Sequence, residues 1–117
     1  MITANFFRED DRLTGFHLHG HSGYAEEGSD IVCAAVSSAS QFVCNTISDH
    51  FHDSARIYVK DNTLEIRLDK HCDGHSFALI ESFFEHLQMI EEEFPGTIRI
   101  CINRCEISHG QEWREML

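Results

Sequence analysis

The stretch Leu13-Thr14-Gly15-Phe16-His17-Leu18-His19-Gly20-His21-Ser22-Gly23-Tyr24-Ala25-Glu26-Glu27-Gly28-Ser29-Asp30-Ile31-Val32-Cys33-Ala34-Ala35-Val36-Ser37 passes from one periodicity to another. Leu13 to His19 reads as a strand. From Ile31 an apolar pattern of helical period begins, carried by Val32, Ala35, Val36, Ala39, Phe42, Val43, Thr46, Ile47 and Phe51. A polar loop punctuated by Gly23 and Gly28 joins the two, with Ser29 or Asp30 as the natural N-cap. His21 thus falls where a strand runs out, and Cys33 in the first turn of a helix.

Outward from this segment the pattern repeats. Ile2 to Arg8 precedes Leu13 to His19 across the polar Glu9-Asp10-Asp11-Arg12, a hairpin signal. Ala55 to Lys60 and Thr63 to Asp69 alternate around Asp61-Asn62, a second hairpin. A second helix is expected from near Gly74 to Glu93, with Phe77, Ile80, Phe83, Phe84, Leu87, Ile90 and Phe94 inward and Pro95-Gly96 as its stop. Thr97 to Ile102 reads as a last strand, and the tail from Asn103 is ambiguous. The order ββαββαβ implies an α+β fold, one layer of mostly antiparallel sheet packed with two helices.

A chain of 117 residues is expected to form one domain over 1–117. Met1 to Arg8 lacks the basic start and long apolar run of a signal peptide, and no stretch approaches the roughly 18 apolar residues that span a bilayer. A cytoplasmic protein is the expectation. Five cysteines form an odd set without framework spacing, so reduced thiols are expected rather than structural disulfides. Twenty acidic side chains stand against nine basic ones, a net charge of −11. Such a balance argues against direct contact with nucleic acid and suits a basic polypeptide partner, although many acidic chains are so for solubility alone.

The chemistry centres on Cys33 and His21. A thiol at a helix start feels the positive end of the macrodipole, which favours thiolate, and an imidazole within reach can take its proton. Asp30 reads as a helix cap; a carboxylate facing the sulfur would oppose the thiolate. Glu26, Glu27, Asp30 or a backbone carbonyl could orient the imidazole, and the Cys33 N–H could serve as oxyanion donor. Ser37 lies one turn beyond Cys33, where it either packs near the sulfur or bonds to its own helix backbone. The loop from Ser22 to Ser29, with Tyr24 between its glycines, is expected to close over a bound peptide. Tyr24 and Ser37 are the substrate-binding candidates.

The same segment, Gly20-His21-Ser22 through Gly28-Ser29-Asp30-Ile31-Val32-Cys33-Ala34-Ala35-Val36-Ser37, resembles the signature of the ribosomal-processing cysteine protease (Prp) family. The resemblance extends over nearly the whole chain in length and element order; Ser22 stands where many members have alanine. It implies an endopeptidase with a Cys33–His21 dyad and no cofactor. It also implies homodimers, and a substrate that is the precursor of a basic large-subunit ribosomal protein. The N-terminal extension of that precursor would be removed at a hydrophobic, phenylalanine-containing site. Other readings are a non-catalytic ribosome-associated binding protein and a thiol redox or metal protein. No Cys-x-x-Cys pair supports redox chemistry.

Nine histidines invite a metal reading. His17, His19 and His21 alternate and would share one strand face, about 6.7 Å per step, but a solvent-facing row is favoured over a zinc site. Cys101, Cys105 and His109 fall partly on a strand, where their spacing is too wide for one ion. His71, Cys72 and His75 straddle a helix start. Cys44 is expected to be partly buried packing. No metal is expected.

Overall fold

The computed structural model describes residues 1–20 and 27–104. Five strands form one sheet: β1 (Ile2–Glu9), β2 (Arg12–His19), β3 (Ala55–Lys60), β4 (Thr63–Leu68) and β5 (Ile98–Arg104). Two helices, α1 (Glu27–Asn45) and α2 (Gly74–Glu93), complete the ββαββαβ order. The strand order is β3-β4-β2-β1-β5, antiparallel throughout except for the parallel β1–β5 pair. Each hairpin closes through two residues, Asp10-Asp11 and Asp61-Asn62. The first residue of each turn takes positive φ, 56° at Asp10 and 52° at Asp61. Aspartate tolerates that region better than most side chains.

One sheet face and both helices enclose the core. Ile2, Ala4 and Phe6 of β1, Phe16 and Leu18 of β2, Ile66 of β4 and Ile98 of β5 meet Val32, Val36 and Val43 of α1 and Phe77, Ile80, Phe83 and Leu87 of α2. Four phenylalanines lock the centre: Phe16 and Phe83 lie 4.7 Å apart by ring centroids, and Phe84 meets Phe6 edge-on at 5.1 Å. α2 starts on Asp73, whose carboxylate accepts the His75 amide, and ends before Gly96, which turns the chain at φ +83°.

Three details differ from the sequence reading. α1 begins at Glu27, so Ser29 and Asp30 lie inside the helix rather than capping it. At its other end, α1 widens into a π turn over Thr46–His50, where the Phe51 N–H donates to the Thr46 carbonyl five residues back. The Thr46 hydroxyl donates to the Phe42 carbonyl at 2.7 Å, which competes with the regular helical ladder. Finally, Ile31–His50 is long and apolar enough by composition to cross a membrane, with a mean hydropathy of 1.3. Here one side of it covers the sheet.

The opposite sheet face was expected to carry a solvent-facing row of histidines; His19 is exposed, His21 lies outside the described residues, and His17 departs from the expectation. His17 is only 8% exposed, and Glu65, its cross-strand partner in the β2–β4 register, is 1% exposed. The His17 and His19 rings lie 5.5 Å apart. Arg67 donates through Nε to Glu65 Oε2 at 3.1 Å while its guanidinium stacks over Phe7 at 4.1 Å. Burial pushes the Glu65 carboxyl above its ordinary range, and burial together with the neighbouring His19 and Arg67 holds the His17 imidazole down at about 4.

These two groups pull stability in opposite directions with pH. His17 stays neutral in the folded chain while the unfolded chain gains a proton near pH 6.5, so its contribution is lost as pH falls from 6.5 towards 4. Glu65 takes up its proton earlier in the folded state than in the unfolded state, which favours folding in acid. Removing His17 isolates its share. Relative to His17→Gln, the wild type should lose on the order of 3 kcal/mol of stability between pH 7 and pH 4. Urea denaturation of both proteins at several pH values checks this, and parallel curves would refute it.

Candidate active site

At one end of the sheet the chain leaves β2 through His19 and Gly20, one residue before His21. Gly20 has φ +89°, and a Cβ there would sit 2.7 Å from the Met1 carbonyl oxygen. The close approach of β1 and the backbone angle both require glycine. The turn that delivers His21 is therefore set by the β1–β2 pair. The β3–β4 turn reaches the same end, because His19 pairs with Thr63 across β2 and β4.

Between these turns and α1 lies a groove of about 520 Å³. Ile2, Leu18, Val36, Val59 and Leu64 give it an apolar floor, and Cys33, Ser37, Ser40 and Gln41 form its helical wall. Cys33 is half-buried and packs against the core from this wall. Ser37 is exposed one turn along, and its hydroxyl accepts from the Gln41 side-chain amide at 3.1 Å. The Ser37 carbonyl in turn accepts from the Ser40 hydroxyl at 3.0 Å. Ser37 thus stands on the groove, held by a neighbour on the same helix. Gln41 was not singled out from sequence; its i+4 spacing from Ser37 is the signal that could have found it.

The earlier helix start changes the reading of Cys33. Cys33 is the seventh residue of α1 rather than a first-turn residue. Only the first four amides of a helix lack an intrahelical partner, so the Cys33 N–H belongs to the helical ladder and is not an oxyanion donor as expected. The macrodipole also falls off within the first turn, so it does not supply the activation assigned to it from sequence. His21, Tyr24 and Glu26 lie outside the described residues, as do the side chains of Glu27 and Asp30. The closing-loop expectation for Ser22 to Ser29 falls there too, except that Glu27 to Ser29 are helical.

The other thiols sit in different surroundings. Cys44 is 5% exposed in the core, deeper than the partly buried position expected, and burial pushes its thiol up to about 11. Cys72 donates to the Ser54 carbonyl at 2.9 Å, and burial with the nearby Asp53 raises it as well. His75 is bonded to Asp73 through Nδ1 at 2.9 Å and does not join Cys72. Among the described residues no three His, Cys, Asp or Glu side chains converge on a common point for a metal ion. Cys105 and His109 lie outside them. Substoichiometric iodoacetamide near pH 7 should therefore label Cys33 well before Cys44 and Cys72, because alkylation needs accessible thiolate. Peptide mapping reads this directly, and Cys72 labelling first would contradict it.

A half-buried thiol thus stands on the wall of an apolar-floored groove at one end of an α+β sheet. The cysteine protease Prp family model matches residues 1–99, and the chain belongs to that family and is a cysteine protease. The ribosomal processing cysteine protease Prp of Bacillus subtilis is 26% identical over 113 residues, covering 88% of this chain and 98% of the relative. Its Staphylococcus aureus counterpart is 29% identical, covering 86% and 97%. The crystal structure of the S. aureus protease with a substrate peptide superposes with a TM-score of 0.80 at 26% identity, over 88% of this chain and all of that one. The same protease with a covalently linked product peptide gives 0.78 at 27% identity, with the same coverage. A Streptococcus mutans protein gives 0.75 at 30% identity, over 90% and 96%.

Proposed function

We propose that this protein removes the N-terminal extension from the precursor of a basic large-subunit ribosomal protein, with Cys33 as nucleophile and His21 as its base. The observation that carries the reading is the position of Cys33, half-buried on an apolar-floored groove at the sheet end where β2 delivers the chain to His21. The names of the relatives, and the peptide complexes of one of them, support the substrate class. His21 takes the thiol proton, and the thiolate attacks a peptide carbonyl. Protonated His21 then passes its proton to the leaving amine, and water hydrolyses the thioester. The apolar floor suits a hydrophobic side chain next to the scissile bond, and Tyr24 and Ser37 contact the peptide. The reaction takes place in the cytoplasm and needs no cofactor. Incubation with the extended ribosomal protein, followed by intact mass measurement, tests the proposal: one internal cut near the N-terminus supports it, and an unchanged precursor refutes it.

The working unit in this reading is a homodimer. Between Asp30 and Asp49 the sequence holds no charged residue and no histidine. The outer side of that helix leaves Ile31 58% and Phe42 67% exposed. On a chain of net charge −11, this is a surface where two copies meet without bringing like charges together. Phe42→Glu should give a folded monomer in sedimentation where the wild type is a dimer; a wild-type monomer would remove the proposal.

A further inference from the structure

Among the described residues lining the groove, Asp61 is the one Asp, Glu, Lys or Arg. It forms the first position of the β3–β4 turn and faces the helical wall together with Val59, Asn62, Thr63 and Leu64. Its sequence neighbour Lys60 is not among the residues lining the groove. The helical wall from Cys33 to Gln41 is about 12 Å long, which accommodates roughly three or four residues of extended peptide. A peptide lying there places an apolar side chain on the floor and passes its flanking residues beside the Asp61 carboxylate.

We propose that Asp61 is a specificity residue that selects a Lys or Arg side chain within three or four residues of the scissile bond. This rests on the groove being the peptide site and adds a positional charge preference to it. The general acidity of the chain attracts any cation and reads no position; one carboxylate on one groove wall does. Groups facing solvent on one side form pairs of modest strength, so the effect is a preference among peptides rather than an absolute requirement.

The test uses quenched-fluorescence peptides spanning the cleaved bond that differ only in Lys, norleucine or Glu at each flanking position. Wild type should prefer Lys over Glu at one position. Asp61→Asn should lower kcat/KM for that Lys peptide by about two- to fivefold, and leave the norleucine peptide unchanged. Asparagine suits the turn because it tolerates positive φ as aspartate does. Asp10→Asn is the control: it removes the same charge from the matching turn at φ 56°, at the opposite end of the sheet, and should leave the preference intact. Equal effects of Asp10→Asn and Asp61→Asn would overturn the proposal in favour of overall charge. So would a Lys preference that survives Asp61→Asn, or its absence in the wild type. If the wild type cleaves no peptide at all, the endopeptidase reading itself fails and the proposal with it.

Discussion

Cys33→Ala should abolish cleavage of the ribosomal precursor, lowering turnover by at least about 1000-fold, while the protein keeps its fold. The loss is large because acyl transfer through a thioester has no substitute for its nucleophile, and residual rates come only from binding and positioning. The fold survives because Cys33 is half-buried on a helix face, alanine is the best helix former, and the substitution removes a single sulfur. Thermal unfolding followed by circular dichroism, beside a precursor cleavage assay, separates the two effects. Turnover close to wild type in this variant would remove the mechanism.

Gly15→Ala should be among the most damaging single changes to stability. Gly15 lies in β2 opposite Arg67 of β4, and a Cβ there would come within 2.1 Å of the Ile66 carbonyl oxygen and 3.1 Å of the Arg67 Cα. Both contacts are to backbone of a paired central strand, so no flexible side chain can move aside. Relief requires β2 and β4 to separate, which disturbs the β2–β4 pairing and shifts Phe16 and Ile66 in the core. A loss on the order of 3 kcal/mol or more is expected. That is a large share of the roughly 6–18 kcal/mol that holds a domain of this size together. Urea denaturation with unchanged midpoint would show that the strands can part without cost.

Most of this fold was legible because it is written in local periodicity. Ile2, Ala4 and Phe6 alternate on β1, Phe77, Ile80, Phe83 and Leu87 recur on α2, and two acidic two-residue turns mark the hairpins. The misread features depend on information that is not local. Glu27-Gly28-Ser29-Asp30 looks like a loop ending in a cap, yet its two acidic residues equally suit a first helical turn, and the choice moved Cys33 one turn deeper into α1. His17, Glu65 and Arg67 occupy polar positions of alternating strands and so read as a wet face. Their burial appears only once the β2–β4 register sets His17 against Glu65. The candidate dyad was legible as a motif, Gly20-His21 and Cys33, while the groove beside Cys33 required the β3–β4 turn to arrive beside β2 from more than forty residues away in the chain.

The most direct test of the account is mass spectrometry of an acid-quenched reaction between the wild-type protein and a slowly hydrolysed precursor peptide. The account predicts a transient adduct equal in mass to the N-terminal cleavage fragment less one water, located by peptide mapping on Cys33. Cleavage accompanied by the same adduct on Cys72 or Cys101 would contradict it.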